Sequence, residues 1–150
     1  MLDLQEISDR LEIQQLMINY STAIDGRDFD ALDQVFTPDA YIDYRALDGI
    51  DGRYPEIKAW LKEVMPRFPN YYHMLGNPNV RISGDTAVSR TICFNPMVTE
   101  TAEDEGKTDV FFCGLWYVDK HVRTGLGWRM VERIEERCFL YNAPPPTRRL

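Results

Sequence analysis

Three segments in the second half of this chain constrain it most: TAVSRTICFNPMVT (86–99), DVFFCGLWYVDKHV (109–122) and GWRMVERIEERCFLYN (127–142). All are long, rich in β-branched and aromatic residues, and separated by the turn-forming stretches SGD, ETAEDEGKTD and RTGLG. Strands of this length with apolar residues on both faces need cover on both sides. A helical layer covers one face. The other calls for curling round a pocket or pairing with another subunit.

The helical layer is legible before Pro69. Leu4, Ile7, Leu11, Ile13, Met17, Tyr20 and Ile24 recur at helical spacing and predict a helix over 4–25, ended by Gly26 at C′. Asp28 can cap a short second helix with Leu32, Val35 and Phe36 on its buried side, stopped by Pro38. AYIDYRAL (40–47) reads as a strand. YPEIKAWLKEVMPRF (54–68) reads as a third helix, with Pro55 in its first turn. Helices followed by an antiparallel sheet make an α+β order rather than βαβ alternation. With 150 residues and no linker, one domain over 1–150 is expected, with 143–150 a mobile tail.

Charge and composition exclude several classes. A net charge of −7 disfavours nucleic acid and anionic membranes, which call for clustered cations. No apolar run is long enough for a membrane span, and the first residues carry acids where a signal peptide carries bases, so a cytoplasmic protein is expected. Cys93, Cys113 and Cys138 are odd in number and widely spaced, which predicts buried, reduced thiols. The two histidines, His73 and His121, have no ligand spacing, so neither metal nor cofactor is expected.

A few polar residues stand on otherwise apolar faces. Asp25 lies seven residues after Ile18 and fourteen after Leu11, hence on their side of the helix, in a last turn where the dipole disfavours a carboxylate. It is either a wet helix end or an acid aimed into a pocket. His73 sits in FPNYYHMLGNPNV, among aromatic and apolar residues. It is either a structural histidine or a base whose Nδ1 proton an acid such as Asp25 accepts. Tyr20 and Tyr44 are core residues with a hydroxyl to place. Arg133 and Arg137 share a face of the last strand with Val131, Phe139 and Tyr141, either opposite surface acids or inside a cavity. Asn95 before Pro96 suggests a bulge, and His121, beside a turn, is expected at the surface.

The stretch IQQLMINYSTAIDGRDFDALDQVFTPDAYIDY, with YYHMLGNPNV and the closing GWRMVERIEER, resembles the SnoaL-like group of the NTF2-like superfamily over nearly the whole chain. It looks most like the branch of scytalone dehydratase, bile-acid dehydratase and lindane dehydrochlorinase. The resemblance implies an NTF2-like (cystatin-like) cone-shaped α+β barrel, with three N-terminal helices packed on a strongly curved mixed sheet around a deep pocket. It implies an Asp-His pair, here Asp25 and His73. IDYR resembles the scytalone dehydratase stretch whose tyrosine faces the pocket, here Tyr44. Tyr20 stands where the bile-acid enzyme has a tyrosine and the dehydrochlorinase a lysine. The arginine five residues past the last strand's Trp resembles the dehydrochlorinase's and points to Arg133, whereas alignment to the bile-acid enzyme favours Arg137.

The implied function is a cofactor-free lyase of dehydratase type, acting by β-elimination on a small hydrophobic substrate. His73 would be the base, oriented by Asp25 and assisted by Tyr20, Tyr44 and Arg133. Asn95, Arg137, Phe36, Trp60 and Cys113 are the expected substrate contacts. An isomerase or polyketide-cyclase-like activity would use the same pair, and a non-catalytic binding module or dioxygenase β-subunit-like protein would not need it. A homo-oligomer, dimer or trimer, is the expected assembly.

Overall fold

The computed structural model describes residues 1–101 and 106–144. Among the described residues two α-helices and three short 3-10 segments accompany a seven-stranded sheet. Helix α1 spans Leu4–Asp25 and starts at Asp3, whose side chain accepts the Glu6 amide. A 3-10 helix, Phe29–Gln34, follows, capped by Asp28. Strand β1 is Phe36–Asp43, β2 is Asp51–Arg53, and helix α2 is Tyr54–Val64. Then come β3 (Met74–Leu75), β4 (Asn79–Ser83), β5 (Thr86–Glu100), β6 (Thr108–Thr124) and β7 (Gly127–Tyr141).

The sheet order is β2-β1-β7-β6-β5-β3, with β4 also pairing β5. β1 runs parallel to β7 and the other pairs are antiparallel, so the curved sheet is mixed, and its path stays open rather than closing into a barrel. The core lies between α1 and the inner face of β5, β6 and β7. Ala87, Cys93, Met97, Phe111, Cys113, Leu115, Tyr117, Trp128 and Met130 line that face and are buried.

Several local expectations are corrected. On α1 the buried stripe is Ile13, Leu16, Met17, Tyr20, Ala23 and Ile24, while Leu4 (85% exposed), Ile7, Leu11 (61%) and Ile18 face outward. The stripe continues N-terminally onto Asp9, a polar residue that hides the true face from a hydrophobic count. Asp9 is buried because Arg123 donates to both its oxygens at 2.6 and 2.7 Å and the Trp128 indole donates at 3.0 Å. This ties α1 to the β6–β7 hairpin. Arg27, not Gly26, takes the left-handed conformation after the helix (φ 59°).

Pro38 lies inside β1 rather than ending a helix, and the strand stops at Asp43, so Tyr44 begins a 3-10 turn, Arg45–Leu47. No bulge occurs at Asn95–Pro96, because β5 pairs β6 without a register shift from Thr86 to Glu100. In the β6–β7 pairing the register does shift, by one residue near Val131 and again near Cys138, and β1 is irregular against β7 between Phe36 and Tyr41. A one-residue shift exchanges faces, so Val131 and Phe139 do not share the side of Arg133. Cys93 and Cys113 are buried free thiols, but Cys138, beside the second shift, is exposed. His121 is buried, not exposed. The expected mobile tail falls mostly on 145–150, which lie outside the described residues. Among the described residues no helix is long and apolar enough to cross a membrane.

Candidate functional site

The last residue of α1 meets the segment that precedes β3. His73 Nδ1 stands 2.6 Å from Asp25 Oδ1, and the His73 backbone N–H donates to Oδ2 at 3.0 Å. A carboxylate can only accept, so the shared proton sits on Nδ1 and leaves Nε2 as the basic nitrogen. The His73 side chain is 7% exposed and that of Asp25 27%. The helical face of Asp25 does not explain this position, because Leu11 and Ile18 on that face point to solvent. Helix termination does: Asp25 is the final helical residue, where the carboxylate can reach past the helix end to a neighbouring loop.

Three side chains help to hold that loop. Tyr71 donates its hydroxyl proton to Ile24 O at 2.9 Å. Arg27 donates to Phe68 O at 2.7 Å and Pro69 O at 3.1 Å, its guanidinium lying over the Tyr71 ring. Asn95 donates to Tyr72 O at 2.8 Å. Asn95, expected to touch substrate, thus has its amide committed to placing the residue before His73.

Inside this edge the interior is aromatic and enclosed. The hydroxyls of Tyr20 and Tyr44 meet at 2.7 Å. Tyr20 presents its edge to His73 (centroids 6.1 Å), and Tyr117 stacks on His73 at 6.5 Å. Arg133 is fully enclosed, its guanidinium 4.0 Å from the ring centres of both Tyr20 and Tyr117. Its Nε and Nη2 donate to Asp119 at 2.7 and 2.8 Å. Desolvation works against the Arg133 charge, but Asp119 overrides it and keeps the guanidinium protonated. Burial pushes the Tyr20 phenol up to about 12 and raises Tyr44 and Tyr117 well above their usual range, so all three are neutral donors. These side chains lie between helix and sheet, where a deep pocket was expected.

The remaining expected contacts separate. Phe36 packs edge-on against Tyr20, and Trp60 lies beside Tyr44 at 6.2 Å. Cys113 is buried opposite Asn95 in register. Arg137 is exposed, which decides between the two arginines in favour of Arg133 as the interior one.

Sequence reasoning missed Tyr117, Asp119 and Glu135. The signal was present: Cys113, Leu115, Tyr117, Asp119 and His121 alternate along β6, and Arg133 and Glu135 lie opposite Asp119 and Tyr117. Glu135 Oε2 and Arg133 Nη1 are both buried without a hydrogen-bond partner among the described residues. Among those residues no group of three or more His, Cys, Asp or Glu side chains is placed to hold a metal ion.

Comparison with known proteins gives three findings. The SnoaL-like domain family matches residues 5–134. An uncharacterized protein of Mycobacterium tuberculosis is 66% identical over 139 residues, covering 93% of this chain and 92% of that protein. Solved structures superpose with low identity. A scytalone dehydratase-like protein of Novosphingobium aromaticivorans matches with TM-score 0.78 and 17% identity, over 93% of this chain and 90% of its own. The hexachlorocyclohexane dehydrochlorinase LinA-type3 of Novosphingobium barchaimii matches with TM-score 0.77 and 17% identity, over 96% and 100%. The fold is NTF2-like.

Proposed function

Since this chain belongs to the SnoaL-like domain family, we propose that it is a cofactor-independent lyase that eliminates water from a small, largely hydrophobic β-hydroxy carbonyl compound. The observation that carries this reading is the 2.6 Å contact between His73 Nδ1 and Asp25 Oδ1. Asp25 fixes the ring through two oxygens, one on Nδ1 and one on the backbone amide of the same residue. Nε2 removes the acidic C–H proton α to the carbonyl. The imidazolium so formed is stabilised by the carboxylate at its other nitrogen.

The enolate that develops needs donors already in place, because a preorganised donor does not reorient as charge builds. The Tyr20–Tyr44 hydroxyl pair supplies one O–H directed outward from the pair, since each hydroxyl donates once and only one proton lies between them. Arg133 adds positive potential behind the Tyr20 and Tyr117 rings. Isomerisation and cyclisation share the first proton transfer; the leaving group separates them from elimination.

A panel of β-hydroxy ketones, β-hydroxy thioesters and halogenated hydrocarbons, assayed for appearance of the alkene, tests the proposal. Elimination that disappears in His73→Ala supports it. A folded His73→Ala protein with full turnover refutes the base assignment, and consumption of substrate without alkene refutes elimination.

A further inference from the structure

We infer that Glu135 is the general acid that protonates the departing hydroxyl, and that the substrate therefore loses water rather than halide. This rests on the elimination proposed above and adds the identity of its second proton-transfer group.

Glu135 lies on β7 directly opposite Tyr117 on β6, whose ring stacks on His73. The register puts Glu135 on the inner face beside Tyr117, the residue whose ring stacks on His73. Part of the Glu135 residue reaches the surface, but its Oε2 is enclosed and finds no partner among the described residues. A buried carboxyl oxygen without a donor disfavours a carboxylate and suits a carboxylic acid, which needs somewhere to donate. Burial, opposed by Arg133 and reinforced by Asp43, raises its pKa well above the ordinary glutamate range. The titratable groups whose fields couple to it are Arg133 on its own strand, Asp43 and Tyr44 at the end of β1, Tyr20 on α1, Tyr117 and Cys113 on β6, and Cys93 on β5. Only Arg133 among them is a cation, and its Nη1 is also buried and unpartnered among the described residues. Burial and the unpartnered oxygen thus favour the neutral acid, with a guanidinium two residues away to stabilise the carboxylate left after donation.

The protons balance. His73 Nε2 takes the α C–H proton and its electrons form the C=C bond. The β C–O bond breaks, and its electron pair takes the Glu135 proton, releasing water. The protein is left with an imidazolium and a carboxylate, and one proton moved from His73 to Glu135 through solvent restores it. Hydroxide is a poor leaving group and needs this proton, whereas chloride does not. An acid at this position therefore serves loss of water and gives nothing to loss of chloride.

The test compares Glu135→Gln with wild type on a β-hydroxy ketone and on its β-chloro counterpart. General acid catalysis predicts a loss of about 10²- to 10⁴-fold in kcat on the hydroxy compound, at least ten times larger than the loss on the chloro compound. Equal losses on the two, or none on either, overturn the acid role while leaving the His73 assignment standing. Failure of His73→Ala to impair either compound sinks the underlying elimination instead. Infrared spectra of the wild-type protein at neutral pH give a second reading that needs neither substrate nor folded variant. A protonated carboxyl stretching band is expected, and its absence overturns the proposal.

Discussion

His121 Nε2 lies 2.9 Å from Ser89 Oγ, and both residues are enclosed in the core at the end of the sheet where β5 and β6 run side by side. The other ring nitrogen, Nδ1, has no partner among the described residues. Burial lowers the His121 pKa from 6.5 to about 4, with Asp119 pulling it up and Arg133 pushing it down. The folded protein therefore holds a neutral imidazole where the unfolded chain would take up a proton.

That difference has a definite sign. Between pH 6.5 and about 4 the unfolded state binds more protons, so stability from His121 is complete above 6.5 and is lost as pH falls. The loss across the window is about 3 kcal/mol. Glu135 acts oppositely: its raised pKa means that its contribution fades as pH rises above 4.5. The comparison to make is therefore wild type against His121→Gln. Urea midpoints of the two should converge as pH is lowered from 7 to 4.5. Parallel pH curves would show that His121 is not held neutral.

The Arg133–Asp119 pair is the most enclosed charge in the described structure, at 0% exposure for both side chains. Removing one member strands the other. Asp119→Ala should cost about 3–5 kcal/mol in urea unfolding, and Asp119→Leu combined with Arg133→Met should cost less than that single change. A double variant as unstable as the sum of its parts would contradict this.

In the proposed elimination Asp25 and His73 act on one proton and should not contribute independently. Asp25→Asn and His73→Ala are each expected to lower kcat by about 10²- to 10⁴-fold, and the double variant should be little worse than the worse single one. Additive losses in steady-state kinetics would separate the two residues.

Tyr20→Phe and Tyr44→Phe each leave a buried hydroxyl without its partner, at about 1–3 kcal/mol. The double Phe variant should cost less than the two singles combined, as a thermal or urea double-mutant cycle would read.

The outer face of the sheet is apolar where Ile92, Phe94, Pro96, Phe112, Trp116, Phe139 and Tyr141 adjoin in register. Phe112 stacks on both Phe94 and Tyr141. We propose that a second copy of the chain covers this face. Light scattering should find an oligomer for wild type and smaller species for Ile92→Glu; a wild-type monomer at high concentration would end the idea.

The sequence determined the long first helix, α2 and the three long strands in their order, because helical spacing in the first half and β-branched, aromatic segments in the second are local properties of the chain. It also marked Asp25, His73, Tyr20 and Tyr44 as polar groups in apolar company. Tertiary structure alone decided which of them meet. The Asp25–His73 contact spans 48 residues, and no local pattern encodes a distance across that gap. The same holds for which stripe of α1 is buried, since two stripes have helical spacing and only pairing with Arg123 lets Asp9 belong to the inner one. Arg133 and Arg137 look alike along the strand; burial distinguishes them because Asp119 stands opposite only the first. Glu135 was invisible for a related reason. A buried acid is written with the same letter as a surface one, and only the sheet packed around it encloses its Oε2 and raises its pKa.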